Sequence, residues 1–165
     1  MRIGVGYDVH AFVPNRPLIL GGVAIPHTMG LDGHSDADAL IHAITDALLG
    51  AAALGDIGQH FPSSDERWKN APSSVFLRHT LYLLQVNGWQ IGNIDAVIVA
   101  ETPKLSPFVE NMRQSLAEIL QISMQNMSVK ATTTDGLGFT GRKEGIACMA
   151  VALIESIPSS TVQSD

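Results

Sequence analysis

The 165 residues carry 45% hydrophobic side chains, only 16% charged ones and a formal charge of −6. A chain of this length suits one domain with one core, and its acidic balance excludes the basic footprint that nucleic acid or an anionic membrane surface requires. Charged residues fall well below the roughly 25% usual in soluble domains, which points to a surface partly covered by another subunit. Cys148 is the lone cysteine, so no internal disulfide forms and a reducing, cytoplasmic compartment is expected. The chain opens without a charged-then-apolar leader, and apolar stretches such as Ile146 to Ile154 are far shorter than the roughly 20 residues of a membrane span.

Along the chain, Arg2 to Phe12 alternates Ile3, Val5, Tyr7 and Val9 against Gly4, Gly6, Asp8 and His10, which predicts a strand. Leu18 to Ile25, two short runs around Gly21-Gly22, reads as a hairpin. His27 to Asp36 reads as a polar loop. A helix is predicted from about Ala37 to Leu54, capped by Ser35 or Asp36 and stopped by Gly55. Gly55 to Pro72 is a long Asp-, Ser-, Pro- and Gly-bearing loop, and such loops in small domains are usually functional or disordered. Pro72 opens a second helix that Asn87-Gly88 stops, and Ile94 to Ala100 is a β-branched strand. Ser106-Pro107 opens a third helix reaching Ile122. Met127 to Thr134 and Gly145 to Ile157 read as strands on either side of the stretch DGLGFTGRKEG, and the tail 158–165 is polar. Four main strands alternating with three helices imply an α/β two-layer sandwich, a four-stranded sheet with helices on one face, within a single domain over 1–157.

Asp8 and His10 stand two apart on the first strand, so both leave the same face, with Val9 pointed into the core. A D-x-H pair is weak by itself and equally fits a strand-end Asp beside a half-exposed His. His42 adds weight. Its helix is apolar nearly all round, yet Asp38, His42 and Asp46 recur at i, i+4 and i+8. Buried polar groups need partners, which a carboxylate–His–metal chain supplies; a solvated stripe is the equally weighted alternative. Three N/O ligands without a thiolate suit an open, catalytic zinc site, although other divalent metals also take imidazole. The residues alone therefore also admit a metal-dependent phosphohydrolase or a module that binds metal only for stability.

The segments GYDVHAF, HSDADALIHAITDALLGAAALGDIGQHFP and VKATTTDGLGFTGR closely resemble the 2-C-methyl-D-erythritol 2,4-cyclodiphosphate synthase family, in one register from about Met1 to Ile157. The resemblance implies a homotrimer with sites between subunits. It also implies cyclisation of 4-diphosphocytidyl-2-C-methyl-D-erythritol 2-phosphate with release of CMP, a step of non-mevalonate isoprenoid synthesis. Asp8, His10 and His42 match the zinc ligands, with Asp8, Val9 and His10 also in the substrate-contacting segment. His34 and Ser35 match phosphate contacts, and His34 with Thr133 the groups that stabilise the transition state. Asp56-Ile57-Gly58 and Phe61-Pro62-Ser63-Ser64-Asp65 match the erythritol pocket. Ala100-Glu101-Thr102-Pro103-Lys104-Leu105-Ser106 matches the cytidine and diphosphate segment, and Thr132-Thr133-Thr134-Asp135, Phe139 and Arg142 the remaining contacts. Asp135 stands where the family usually has Glu as ligand for a second cation, Mg²⁺ or Mn²⁺, and Val5 stands where it often has His. Read without the family, Lys104 is a solvated cation, the threonine run is edge-strand packing, Phe61 and Phe139 are packing residues, and His27, His60, His79, Trp68 and Trp89 have no assigned role.

Overall fold

The structure, a computed structural model, describes residues 1–158; the expected tail lies, beyond Pro158, outside them. Its sheet has five strands rather than the four expected. In spatial order these are β4 (Met29–Leu31), β1 (Arg2–Pro14), β7 (Gly145–Ser156), β5 (Trp89–Val99) and β6 (Met127–Thr132). All neighbours pair antiparallel except β5 and β6, which are joined by the crossover helix α4 (Val109–Leu120) that a parallel pair requires. The added strand, β4, is three residues long, inside the segment expected to be loop. No apolar alternation marks so short a run; its pairing with Phe12 to Pro14 places it in the sheet. β2 (Leu18–Leu20) and β3 (Val23–Ile25) form the expected separate hairpin. Its turn needs φ of 58° at Gly21 and 75° at Gly22, values that glycine adopts without a Cβ clash.

Helices α1 (Ala39–Ala52), α3 (Ser74–Val86) and α4 cover one face of the sheet, burying Ile94, Ala96, Ile98, Ala150, Ala152 and Ile154 beneath Leu40, Ile44, Leu77, Leu84 and Leu116. The direction of β1 corrects one expectation. Gly4, Gly6, Asp8 and His10 face α1, whereas Ile3, Val5, Tyr7 and Val9 lie on the open side, Val9 included. A Cβ at Gly4 would lie 2.0 Å from the Ala47 carbonyl oxygen, and one at Gly6 2.0 Å from that of Ala43. The glycines are what let α1 lie directly on the strand. Among the described residues no helix is long and apolar enough to cross a membrane.

Helix α1 starts and ends inside the expected limits. Ala37 has φ of 57° and cannot be helical, and the N-cap is Asp38, whose carboxylate accepts from Ile41 N–H. Ala53, in the left-handed region, ends it before Gly55. The long loop holds one short helix, α2 (Ile57–His60), capped by Asp56. Ser106 to Phe108 is a 3₁₀ turn preceding α4, and β5 starts at Trp89, earlier than expected, with a bulge between Ile91 and Asn93.

Candidate metal centre and substrate cavities

Where the glycines of β1 end, Asp8 and His10 occupy the same helix-facing side, beside His42 on α1. His10 Nε2 lies 2.8 Å from Asp8 Oδ2, His42 Nδ1 lies 3.1 Å from the same oxygen, and the two ring nitrogens are 3.2 Å apart. Among the described residues this is the one group of three acidic or imidazole side chains able to share an ion. Three atoms that present lone pairs converge on one point, and two imidazoles plus a carboxylate are the donor set of an open zinc-type site. The residues fit the group.

The pieces of backbone that aim these side chains are visible. His10 Nδ1 hydrogen-bonds to the carbonyl of Asp32, next after β4, so the unforeseen fifth strand supplies the acceptor that leaves Nε2 facing the cluster. Burial opposes ionisation of Asp8, but its close contacts with the His10 and His42 rings outweigh it and hold the carboxyl far below its ordinary value. Burial likewise disfavours the charged His10, and its bond to Asp8 reverses the sign and raises its pKa. The three polar residues expected as one stripe on α1 part company. Only His42 joins the cluster. Asp38 is fully buried as the helix cap and accepts from Gly21 and Gly22 N–H at 2.9 and 2.7 Å. Asp46 accepts from Ile57 N–H at 2.7 Å, tying α2 to α1.

Beside the cluster opens a cavity of about 210 Å³, lined by His34, Ser35, His42, Ile57, Gly58, Phe61, Ser63, Trp68 and Phe76. Of the residues expected at the phosphate and erythritol contacts it gathers His34, Ser35, Ile57, Gly58, Phe61 and Ser63, together with Trp68, which had no assigned role, and Phe76. Phe61 and Phe76 stack with ring centroids 4.5 Å apart, and Trp68 packs edge-on against both. No local signal separates a cavity wall of this kind from ordinary aromatic packing. Asp56 and Asp65 are engaged locally, Asp56 with Gln59 and Asp65 with Arg67, whose hydrogen bonds hold both carboxyls below the usual range. Pro62 and Ser64 are exposed on the same loop. Val9 presents its backbone between Asp8 and His10 and its side chain to the open face.

A second cavity, about 280 Å³, is lined by Ala100, Glu101, Pro103, Lys104, Leu105, Ser106, Ala131, Thr132 and Thr133, and the neighbouring Thr102–Pro103 peptide is cis. Asp135 is exposed near it, 3.3 Å from the Thr133 hydroxyl. Thr134 instead bonds the buried Thr140, Phe139 is half-buried in α5 (Gly138–Gly141), and Arg142 is paired with Glu144 at 2.8 Å. Asp8, Cys148, Ile98 and Ala131 stand level across neighbouring strands. Three interstrand steps of about 4.8 Å therefore separate the metal cluster from the second cavity by about 14 Å. Within one chain the two sets of expected site residues do not meet.

Comparison with known proteins gives one answer. The family model described as "YgbB family" matches residues 1–155. The 2-C-methyl-D-erythritol 2,4-cyclodiphosphate synthase of Pseudomonas putida (strain W619) is 59% identical over 154 residues, covering 93% of this chain and 98% of its own. Among solved structures, the bifunctional IspDF of Campylobacter jejuni is 45% identical with a TM-score of 0.91, covering 94% of this chain, which spans 42% of that longer one. The CDP complex of Plasmodium falciparum IspF is 35% identical with a TM-score of 0.84, covering 95% of this chain and 97% of that one. The chain belongs to the YgbB family and is an enzyme of the 2-C-methyl-D-erythritol 2,4-cyclodiphosphate synthase kind.

Proposed function

We propose that the enzyme cyclises 4-diphosphocytidyl-2-C-methyl-D-erythritol 2-phosphate by attack of a 2-phosphate oxygen on the β-phosphorus. The β-phosphorus–oxygen bond to CMP breaks, CMP leaves, and the product is 2-C-methyl-D-erythritol 2,4-cyclodiphosphate. The observation that carries this reading is the convergence of Asp8 Oδ2, His10 Nε2 and His42 Nδ1 beside the cavity that holds His34 and Ser35.

The nucleophile is itself a phosphate, largely dianionic near neutral pH because its second pKa is about 6. No side chain has to remove a proton, and the chemistry reduces to bringing two anions together. Asp8, His10 and His42 would hold a zinc-like ion, and Asp135 would help to hold Mg²⁺ or Mn²⁺ with the substrate phosphates as co-ligands. Such cations, when bound, neutralise charge on the phosphoryl group and on the departing phosphate. The chain's own residues position the rest. His34 and Ser35 donate to phosphate oxygens, and His34 with Thr133 stabilises charge as it shifts. The aromatic wall of Phe61, Trp68 and Phe76 excludes water from the erythritol end. The CDP in the Plasmodium falciparum complex supports a cytidine site along Ala100 to Ser106. Holding both ends of one molecule makes the step unimolecular.

The about 14 Å between the two cavities supports sites completed across subunits, in a homotrimer built on the open sheet face. One chain supplies the metal cluster and its neighbour the Thr132 to Asp135 side. Residues 1–157 act as one catalytic domain, in the cytoplasm, as the single Cys148 supports.

Incubating the protein and substrate with Zn²⁺ and Mg²⁺ under ³¹P NMR should show cyclic diphosphate and CMP appearing in equal amounts. A linear product, or none, overturns the reading. His42→Ala should lose bound zinc and turnover together; an active variant that retains no zinc would show that the cluster has another purpose.

A further inference from the structure

We propose that Ser73 and Asp36 form a relay behind His42 that fixes its imidazole in the Nε2–H tautomer and keeps Nδ1 free as a cation ligand, an inference that rests on the metal-centre reading. Ser73 is fully buried at the start of α3. Serine in that position ordinarily caps the helix with its hydroxyl, yet the Ser73 side chain makes no capping hydrogen bond. It is turned the other way. Its hydroxyl meets Asp36 Oδ1 in a short hydrogen bond, and its backbone N–H donates to Asp36 Oδ2 at 3.0 Å.

An ionised carboxylate only accepts, so the Ser73 O–H donates to Asp36 and its oxygen is left to accept. That oxygen lies 2.8 Å from His42 Nε2, which therefore carries the ring proton. In a neutral imidazole the other nitrogen is then bare. It is Nδ1, the atom directed at Asp8 and His10. Asp8 Oδ2, at 3.1 Å from Nδ1, is the rival acceptor for the ring proton, and the Ser73 oxygen on Nε2 is the nearer of the two at 2.8 Å. The Ser35 hydroxyl stands farther off, 3.3 Å from Nε2, and accepts from Ala37 N–H at 3.2 Å, so it can turn toward a ligand in the cavity while Ser73 keeps hold of the ring. Ser73 and Asp36 touch neither cation nor substrate here; they are positioning residues acting through His42.

The test reads the ring before it reads activity. In metal-free, ¹⁵N-histidine-labelled protein at mildly alkaline pH, His42 should show a protonated Nε2 and a bare Nδ1. Ser73→Ala should give a mixture of the two tautomers, and its Zn²⁺ dissociation constant, by competition with a chelating dye, should rise about 10–100-fold. Asp36→Asn, which keeps one acceptor for the hydroxyl, should give a smaller rise, and it stands as the second variant should Ser73→Ala fail to fold. A wild-type His42 protonated on Nδ1 overturns the relay. So does a Ser73→Ala protein with native circular dichroism, unchanged tautomer and unchanged zinc affinity. If the wild-type protein shows the Nε2–H ring but takes up no zinc, the relay stands and the metal-centre reading falls.

Discussion

Asp38 and His42 lie one turn apart on α1, and their burial has opposite consequences. His42 gains partners that place it in the candidate metal group, whereas Asp38 holds the hairpin turn to the helix start. Burial raises the Asp38 carboxyl to about 6, against the pull of the Gly22, Ile41 and Gly21 N–H groups. A folded-state pKa above the unfolded 3.8 means stability that is fully present below the unfolded value and lost as pH rises through the folded one. Asp38→Asn removes that titration, so its unfolding free energy, followed in urea between pH 4 and 7, should lack a decline on the order of 2 kcal/mol seen in the wild type. A constant penalty of about 1–3 kcal/mol should remain, because the amide cannot accept from Gly22 N–H. The candidate metal group gives a second pH test. In metal-free protein the lowered Asp8 and raised His10 values stabilise most between the unfolded 3.8 and 6.5, the Asp8 share vanishing below and the His10 share above. Zinc held there as proposed would have to displace the His10 proton, so the zinc-induced increase in melting temperature should grow from pH 5 to 8. Equal increases at both ends would show that imidazole is not the ligand.

At the scale of elements, the decisive contact is β1 against α1. Gly6 allows the helix to sit where His42 is level with Asp8 and His10. In Gly6→Ala the new methyl would meet backbone at 2.0 Å, which no rotamer change relieves. Overpacking of this kind costs about 1–3 kcal/mol or more, and the helix must shift away from the strand. Urea unfolding should register the loss, and zinc affinity should fall with it; a variant as stable and as zinc-avid as the wild type would show the close approach to be incidental. Much of this was legible beforehand. The alternation of β1, the apolar α1 and the Gly21-Gly22 hairpin carry strong periodic or turn signals. The direction of β1 was not, because glycines on one side and Ile, Val and Tyr on the other ordinarily mean the larger side chains face inward. Here the reverse holds, since a helix backbone rather than side chains fills the space above the glycines.

For the whole molecule, that reversal leaves a continuous apolar surface. Val5 pairs across the sheet with Val151, Tyr7 with Met149 and Ile3 with Leu153, and Val97 continues the row beyond Met149. Val5 is 64% exposed and Ile3 69%. A β-sheet face of this size normally packs against something, and its apolar side chains contribute to the low charged fraction of the chain. With the metal cluster and the second cavity about 14 Å apart, the proposed association through this face would also explain how the separated halves act together. Val5→Asp places a carboxylate in the middle of the patch and should weaken self-association by about 2 kcal/mol per site. Sedimentation velocity should then show smaller species, and turnover should fall with them. A variant of undiminished mass and activity would place the interface elsewhere.

By itself the sequence determined most of the order of elements, the two-layer architecture, the family and the three side chains that converge as the candidate metal group, because these depend on local periodicity, turn chemistry and long motifs. Tertiary structure alone decided which side of β1 faces the helices, the short edge strand that brings Asp32 to His10, and the division of Asp38, His42 and Asp46 among three tasks. It also decided that Trp68 and Phe76 wall the cavity and that Ser73 turns from its helix toward His42. Each of these depends on what lies across a gap in space between residues distant in the chain, and no spacing along the chain encodes that.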